Sequence, residues 1–476
     1  MPKFDNNLIV LGAGSGGLIA ALVAATLKAK VTLIEKHLMG GDCLNTGCVP
    51  SKTLISSAKA AHLMRTGDRF GLQAVEPDVD FAAVMARVQA AIATIAPKDS
   101  VERYSELGVN CILGEGELLD AHRVRVGEQV MSARSIILAT GGSPLVPPIP
   151  GLRELNPLTS DTVWALKEQP RRLVIMGGGP IGCELAQAFA RLGSEVTIVD
   201  MAERLLPRED PDVSAHIEQV FAAEGISIRT SAKVVAAEPG SLQLESNSDQ
   251  ARQSLAFDQI LVAVGRRANT RGLGLEAAGV ELAKDGTVAV DAYLRSSQPN
   301  ILACGDVAGP YQFTHMASHQ AGYATLNALF GKFWKSRVNY AVVPWCTYTE
   351  PEVARVGLSE TEAAEQGVAV EVTHYGLDDL DRAIAEGNAA GWVKVLTKPG
   401  SDRILGACVV GPHAGEVITE FVSAMTHGLG LKKIMGTVHI YPTFAEANKL
   451  AAGAWRRARA PQGALRLLGR VHDWMR

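Results

Sequence analysis

Cysteine is scarce in this chain, at seven in 476 residues. That is too few for a secreted disulfide framework, and the odd count leaves at least one thiol free. A reducing compartment fits such usage. No apolar run approaches the roughly 18 residues that cross a bilayer, which argues against an integral membrane segment. Neither sign of charge is in excess: 46 Lys and Arg face 50 Asp and Glu, a net of −4, with no global bias toward nucleic acid or an acidic surface. The opening MPKFDNNLIVLGAG lacks the basic, apolar and small-residue order of a signal peptide, so a soluble cytoplasmic protein is expected. What the chain does have is apolar substance, 47% against 20% charged. That supplies cores for two to four domains and makes small-molecule chemistry the default.

Glycine is plentiful, and its placement repeats. NNLIVL leads into Gly12-Ala13-Gly14-Ser15-Gly16-Gly17, an alanine-rich helical stretch, and KVTLIE ending on Glu35. RRLVIM leads into Gly177-Gly178-Gly179-Pro180-Ile181-Gly182, the helical CELAQAFARLG, and EVTIVD ending on Asp200, with the same glycine-to-acid separation. In such a unit the first glycine makes the strand-to-helix turn, the second admits a pyrophosphate to the backbone, and the third lets helix and strand pack closely. The helix N-terminus offers unpaired N–H groups to phosphate, and the acid accepts ribose hydroxyls. One such motif is weak evidence; two in register imply an α/β chain with two Rossmann-like dinucleotide-binding domains. RSIILATGG (134–142) and DQILVAVGR (258–266) read as later parallel strands. Pro-rich GGSPLVPPIPG (141–151) reads as a linker that breaks helix and strand. NILACGDVAG, with Asp306 after a buried strand, reads as a return to the first site. From about residue 343 no third glycine motif follows, so a further domain is expected.

GGDCLNTGCVPSK, residues 40–52, is the other conspicuous stretch. Zinc would require further ligands at short spacing, and His37 and His62 supply no second paired cluster. Two buried thiols are a second reading, although Gly40, Gly41 and Gly47 suit a turn better than a core. A redox pair beside a dinucleotide site is the third.

GGDCLNTGCVPSK resembles the active-site signature of the flavin-dependent pyridine nucleotide-disulfide oxidoreductases, the group of dihydrolipoamide dehydrogenase, glutathione reductase and mercuric reductase. GAGSGG, ATGG, GGGPIG, AVGR, CGDV and TEPEVARVGLSE extend the resemblance over almost the whole chain. It implies FAD at Gly12, Gly14, Gly17 and Glu35, with Lys52, Gly116, Thr140, Gly141, Asp306 and Ala317 also near the flavin. It implies a nicotinamide coenzyme at Gly177, Gly179, Gly182, Asp200, Val234 and Gly265. Cys48 is then the thiol against the flavin, Cys43 the one exchanging with substrate, and Lys52 with Glu184 an ion pair near the flavin. A helix opened by Cys48, with Lys52 nearby, would favour the thiolate. No metal site is expected. The implied organisation is an FAD domain over 1–150 completed by about 271–342, an NAD(P) domain over 151–270, and an interface domain of a homodimer over 343–455. A basic extension, 456–476, could dock a partner or an anionic surface, but Pro461 and Gly463 interrupt any long amphipathic helix, and it is expected to lie solvated against its own domain. Asp200 favours NAD, because a carboxylate repels a 2′-phosphate; Arg204 nearby softens that preference.

HIYPTFAEANK, 439–449, departs from the pattern. Dihydrolipoamide dehydrogenases resembling this chain carry a histidine before Pro-Thr, oriented by a glutamate, as base for substrate thiols. Glu446 matches the glutamate, but Tyr441 replaces the histidine. The pKa of free tyrosine lies about 3.5 units higher, so Tyr441 suits hydrogen-bond donation or a soft metal better than proton abstraction. Mercuric reductases also have tyrosine there, yet their terminal cysteine pair and N-terminal metal-binding domain have no counterpart in this sequence. In an extended segment His439 would point the same way as Tyr441, making it a substitute base. Pro180 stands where many relatives have a tyrosine shielding the flavin. The isolated Cys111, Cys183, Cys304, Cys346 and Cys408 read as buried fillers. The expected activity is that of a dihydrolipoamide dehydrogenase-like enzyme passing electrons between NAD(H), FAD, the Cys43–Cys48 disulfide and a thiol or disulfide substrate, free or on a lipoyl-bearing protein. A mercuric reductase-like metal-ion reductase and a low-turnover redox sensor are the alternatives.

Overall fold

The computed structural model describes residues 3–247 and 250–476, which form two compact units. The first comprises the residues up to Thr66 with Ala74–Leu205 and Val220–Asn339. Its larger sheet sets five parallel strands side by side: Val109–Leu113, Val31–Glu35, Asn6–Leu11, Gln129–Leu138 and Ile301–Ala303. The first strand in the chain is central. Successive strands go to one side and then the other, so the glycine turn after Leu11 lies where strand order reverses, the place where such sheets bind ligands. Apolar side chains fill both faces of Asn6–Leu11, and Leu8, Ile9 and Val10 are wholly buried, as a strand covered by helices on both sides requires.

The second copy of the motif builds the same order in parallel: Ser227–Arg229, Glu195–Val199, Arg172–Met176, Gln259–Val262 and Leu158–Thr159. The two segments expected as later parallel strands take those positions. The Pro-rich 141–151 does not remain free of strand: Gly142–Pro144 pairs antiparallel with Arg266–Ala268. Pro144 carries no N–H, and a two-stranded ribbon offers it an edge where none is needed.

The second unit comprises Gly67–Gln73, Leu206–Gln219 and Tyr340–Arg476. Leu206–Gln219 lies in sequence inside the nucleotide segment 151–270, yet groups with this unit. Five antiparallel strands, Pro344–Thr347, Glu352–Gly357, Ile404–Gly411, Trp392–Thr397 and Glu371–Gly376, share a core with Phe421, Ile434, Ala451 and Trp455 of its helices. Two buried cations clip Leu206–Gln219 in place. Arg355 pairs with Glu209 (3.0 Å) and Glu362 (2.6 Å), and Lys394 with Asp210 (2.9 Å), Asp212 (2.8 Å) and Glu360 (2.9 Å).

The C-terminal extension differs from expectation. It is a helix, Gln462–Met475, preceded by Pro461 at its N-cap. Every residue from 461 to 476 is exposed, whereas Arg459 before them bonds Glu371, so only the start of the extension is held on its own domain. Pro461 starts the helix rather than breaking it, since a proline costs nothing where no intrahelical N–H bond exists. Among the described residues no helix is long and apolar enough to cross a membrane. Of the five isolated thiols, Cys183, Cys304 and Cys408 are buried, whereas Cys111 and Cys346 are only partly covered.

Candidate functional site

The first glycine turn explains its own residues. Gly12 has φ +98°, and a Cβ there would lie 2.4 Å from the Ala139 carbonyl oxygen; a Cβ on Gly17 would lie 1.7 Å from the Gly12 carbonyl oxygen. Strand, turn and helix therefore close only with glycine. Helix Ser15–Thr26 begins at Gly14 with no side-chain cap, leaving its first N–H groups for a ligand. The Glu35 carboxylate is held at the strand end by the N–H groups of Ala13 (2.6 Å) and His37 (2.8 Å). The second turn repeats this arrangement. A Cβ on Gly182 would lie 1.9 Å from the Gly177 carbonyl oxygen, and helix Pro180–Leu192 begins at uncapped Gly179. The Asp200 carboxylate accepts from the N–H groups of Gly178 and Ala202. Both turns have the open backbone and the fixed carboxylate that an adenine dinucleotide requires.

The cysteine stretch is folded against the first turn. Gly40 and Gly41 adopt positive φ, and a Cβ on Gly41 would lie 2.5 Å from the Gly14 Cα; two glycine backbones meet there. Cys43 lies on the short helix Gly41–Asn45, and Cys48 opens the 18-residue helix Cys48–Arg65, whose N-cap Gly47 supplies no side-chain bond. Trp164 fixes the turn between them, its indole N–H donating to the Thr46 carbonyl at 2.8 Å. Thr314, first residue of the uncapped helix Thr314–Phe330, places its hydroxyl 3.4 Å from the Cys48 sulfur. Both Thr314 and Ser15 hydrogen-bond Cys43. Three uncapped helix N-termini thus surround one thiol pair, and each favours negative charge.

The two sulfurs are free thiols of opposite character. The Cys43 S–H donates to Cys48, and this bond, ahead of Thr314 and the charge of Lys52, lowers the Cys48 pKa to about 6 against burial and the opposing charge of Glu184. The same bond, then burial, drives Cys43 well above the ordinary thiol range. The Lys52 ammonium lies 2.7 Å from the buried Glu184 carboxylate, linking the cysteine helix to the second glycine helix.

Asp306 follows strand Ile301–Ala303 as expected, but its carboxylate faces Arg266 at 3.6 Å. Burial pushes its pKa up, with Arg266 opposing. Arg266 also bonds Asp42 and the Gly142 carbonyl; its side chain ties the cysteine turn to the strand pair. Ala317 packs beneath Gly16 and Gly305. The Thr140 hydroxyl donates to the Asn269 carbonyl at 2.8 Å, while Gly141 (φ +68°) and Gly265 (φ +137°) have open space where a side chain would stand. Gly116 and Val234 are different. A Cβ on Gly116 would lie 2.7 Å from Leu11, and the Val234 side chain is taken up by the core around Leu242 and Phe257, so apolar packing accounts for both.

Tyr441, His439 and Glu446 lie in the second unit. His439 and Tyr441 are each held by a separate acid, Glu420 and Asp381. The His439 ring is 6% exposed, with Nε2 3.0 Å from Glu420 and Nδ1 3.1 Å from the Thr437 carbonyl. Both ring nitrogens lie within hydrogen-bond distance of acceptors. Tyr441 is exposed and donates to Asp381 at 2.8 Å; that bond raises its pKa further. Glu446 does not bond Tyr441. It opens helix Glu446–Ala458 and accepts the Thr443 N–H at 3.1 Å.

Sequence reasoning missed Thr314, Ser15, Trp164, Arg266 and Asp381. Ser15 and Arg266 stand in the GAGSGG and AVGR stretches already singled out; nothing in the local sequence marks Thr314, Trp164 or Asp381. Among the described residues, no group of three or more His, Cys, Asp or Glu is placed to hold a metal ion.

Two dinucleotide-type turns in one unit, with a polarised thiol pair folded onto the first, define a dithiol–dinucleotide redox protein. The family model "Pyridine nucleotide-disulphide oxidoreductase" matches residues 6–321, and that of its dimerisation domain matches 343–452. Dihydrolipoyl dehydrogenase of Chlamydia muridarum is 37% identical over 92% of this chain and 94% of its own, and mercuric reductase of Streptomyces lividans 36% over 94% and 95%. Among solved structures, LpdA of Mycobacterium tuberculosis aligns with TM-score 0.86 at 28% identity over 95% of this chain and 99% of its own. The HOCl-induced flavoprotein disulfide reductase RclA of Escherichia coli, as its Cu(II) complex, aligns with TM-score 0.83 at 28% identity over 95% and 99%. The chain belongs to the pyridine nucleotide-disulphide oxidoreductase family and is a flavoprotein disulfide oxidoreductase, of a family that uses FAD and NAD(P)H.

Proposed function

We propose that the protein is a homodimeric, dihydrolipoamide dehydrogenase-like enzyme, using FAD and preferring NADH, that exchanges electrons between the coenzyme and a thiol or disulfide substrate through Cys43 and Cys48. The observation that carries this reading is the inequality of the two thiols. A thiolate at Cys48, stabilised by the Cys43 S–H, suits the inner partner; Cys43, which keeps its proton, suits the thiol released to substrate once the disulfide opens. Gly12, Gly14, Gly17 and Glu35 would hold the adenosine half of FAD, and Gly177, Gly179, Gly182 and Asp200 that of NADH. Bound FAD supplies a two-electron acceptor between hydride chemistry and thiol chemistry. Lys52, paired with Glu184, orients the cysteine helix, its ammonium favouring the Cys48 thiolate and the Glu184 carboxylate opposing it. The fixed Asp200 carboxylate disfavours a 2′-phosphate.

Tyr441 supports a second reading, a metal-ion reductase. Bonded to Asp381 with its pKa raised, it is a poor base; its one O–H reaches a thiolate only by leaving Asp381, while its oxygen lone pairs stay open to a metal complex. Steady-state rates decide between the readings: NAD reduction by dihydrolipoamide, and NADH oxidation with lipoamide or Hg(II), for wild type and Tyr441→His. Fast lipoamide turnover in wild type supports the dehydrogenase reading. Slow turnover rescued by Tyr441→His, with faster Hg(II)-dependent oxidation in wild type, supports the metal reading.

A further inference from the structure

The helix Gln462–Met475 begins ten residues after the matched dimerisation domain ends at residue 452, and nothing in the proposed reaction uses it. Ala464, Leu467, Leu468, Val471, Trp474 and Met475 recur at the i, i+3, i+4, i+7 spacing that makes one face. Gln462, Arg466, Arg470, Asp473 and Arg476 occupy the opposite face, with Leu465 and His472 at the boundary. The separation of faces is complete, yet the apolar one is uncovered: Leu467 is 63% exposed, Trp474 86% and Met475 70%. A helix of 14 residues containing Gly463 and Gly469 is marginal in water by itself, so such a segment gains from a surface that covers its apolar half.

Charge selects that surface. The chain is net negative, but this helix carries Arg466 and Arg470 against Asp473 alone, Arg476 follows it and pairs with Asp473, and Arg456 and Arg457 stand exposed just before it. A basic polar face opposite a Leu, Val and Trp face is the pattern of helices that lie in the plane of an anionic bilayer interface. Pairing with a second copy is less well served. The stripe 464–468–471–475 spans under two heptads, short of the three to four that sustain a coiled coil. We infer that the C-terminal helix is a reversible anchor to an anionic phospholipid surface, Leu467, Leu468, Val471 and Trp474 entering the interface and Arg466 and Arg470 facing the headgroups.

The test is sedimentation of the full-length protein with vesicles of phosphatidylcholine alone or mixed with phosphatidylglycerol. The inference expects binding to the mixed vesicles only, weakened by added salt and abolished by Leu468→Glu. Arg466→Gln and Arg470→Gln should each weaken it about fivefold, and deletion of 462–476 should abolish binding while leaving NADH oxidation unchanged. Wild-type protein remaining in the supernatant with mixed vesicles would overturn it. So would binding that Leu468→Glu leaves intact, or a concentration-dependent self-association lost in Leu468→Glu without any vesicle binding, which would assign the face to a second copy.

Discussion

The Lys52 ammonium and the Glu184 carboxylate stand 2.7 Å apart, joining the helix that Cys48 opens to the helix that starts at the second glycine turn. Their charges act on Cys48 in opposite directions, Lys52 lowering its pKa and Glu184 raising it. Lys52→Met should therefore move the Cys48 titration up and Glu184→Gln should move it down. The pH dependence of iodoacetamide alkylation of the reduced protein, resolved by peptide mass, measures both. Shifts of the same sign would contradict the pairing.

The largest influence on Cys48 is the hydrogen bond from Cys43. In wild type, alkylation of Cys48 should fall off only as pH drops through about 6. Cys43→Ala removes the donor, and the midpoint should rise toward the value of a free cysteine, about 8.5. An unchanged midpoint would show that the helix terminus and Lys52 suffice.

The Gly14–Gly41 contact gives a structural test. Gly41→Ala places a Cβ 2.5 Å from backbone at positive φ, which should cost about 1–3 kcal/mol and lower the flavin-to-protein ratio. Gly225→Ala, also at positive φ but with nothing within 4 Å, should cost less and leave flavin content unchanged. Thermal melts and flavin absorbance of the two variants check this.

In the second unit, Lys394→Met leaves buried Asp210 without its cation and should destabilise by about 3 kcal/mol near neutrality. Burial alone would raise the pKa of Asp210, but the Thr361 N–H and Lys394 outweigh it and hold it at about 2, below its ordinary 3.8. The stabilisation is therefore complete above about pH 4 and fades as pH falls toward 2. The melting-temperature deficit of Lys394→Met should be larger at pH 5 than at pH 3.

The repeat was legible because its glycines have a steric reason that fixes their spacing: the order of parallel strands follows from Gly12 and Gly177 and the apolar strands around them. The cysteine stretch was legible as chemistry but not as geometry. Thr314 lies 266 residues from Cys48 and Arg266 lies 224 from Asp42, and no local pattern reveals which distant helix start will face a thiol. The same blindness affected residues 439–446, where Asp381, 60 residues away, takes the tyrosine hydroxyl. Exposure of the tail was equally hidden, since an amphipathic sequence specifies a face without naming what covers it.

Anaerobic titration of the purified flavoprotein with NADH, followed by visible absorbance in wild type, Cys43→Ala and Cys48→Ala, tests the central claim most directly. A Cys48 thiolate against the oxidised flavin predicts a long-wavelength charge-transfer band that appears on two-electron reduction of wild type, that is present in Cys43→Ala before NADH is added, at pH above its shifted titration, and bleaches as NADH reduces the flavin, and that is absent throughout with Cys48→Ala. A wild type that bleaches without the band, or a band that survives Cys48→Ala, would contradict the assignment of Cys48 as the inner thiol of a redox pair.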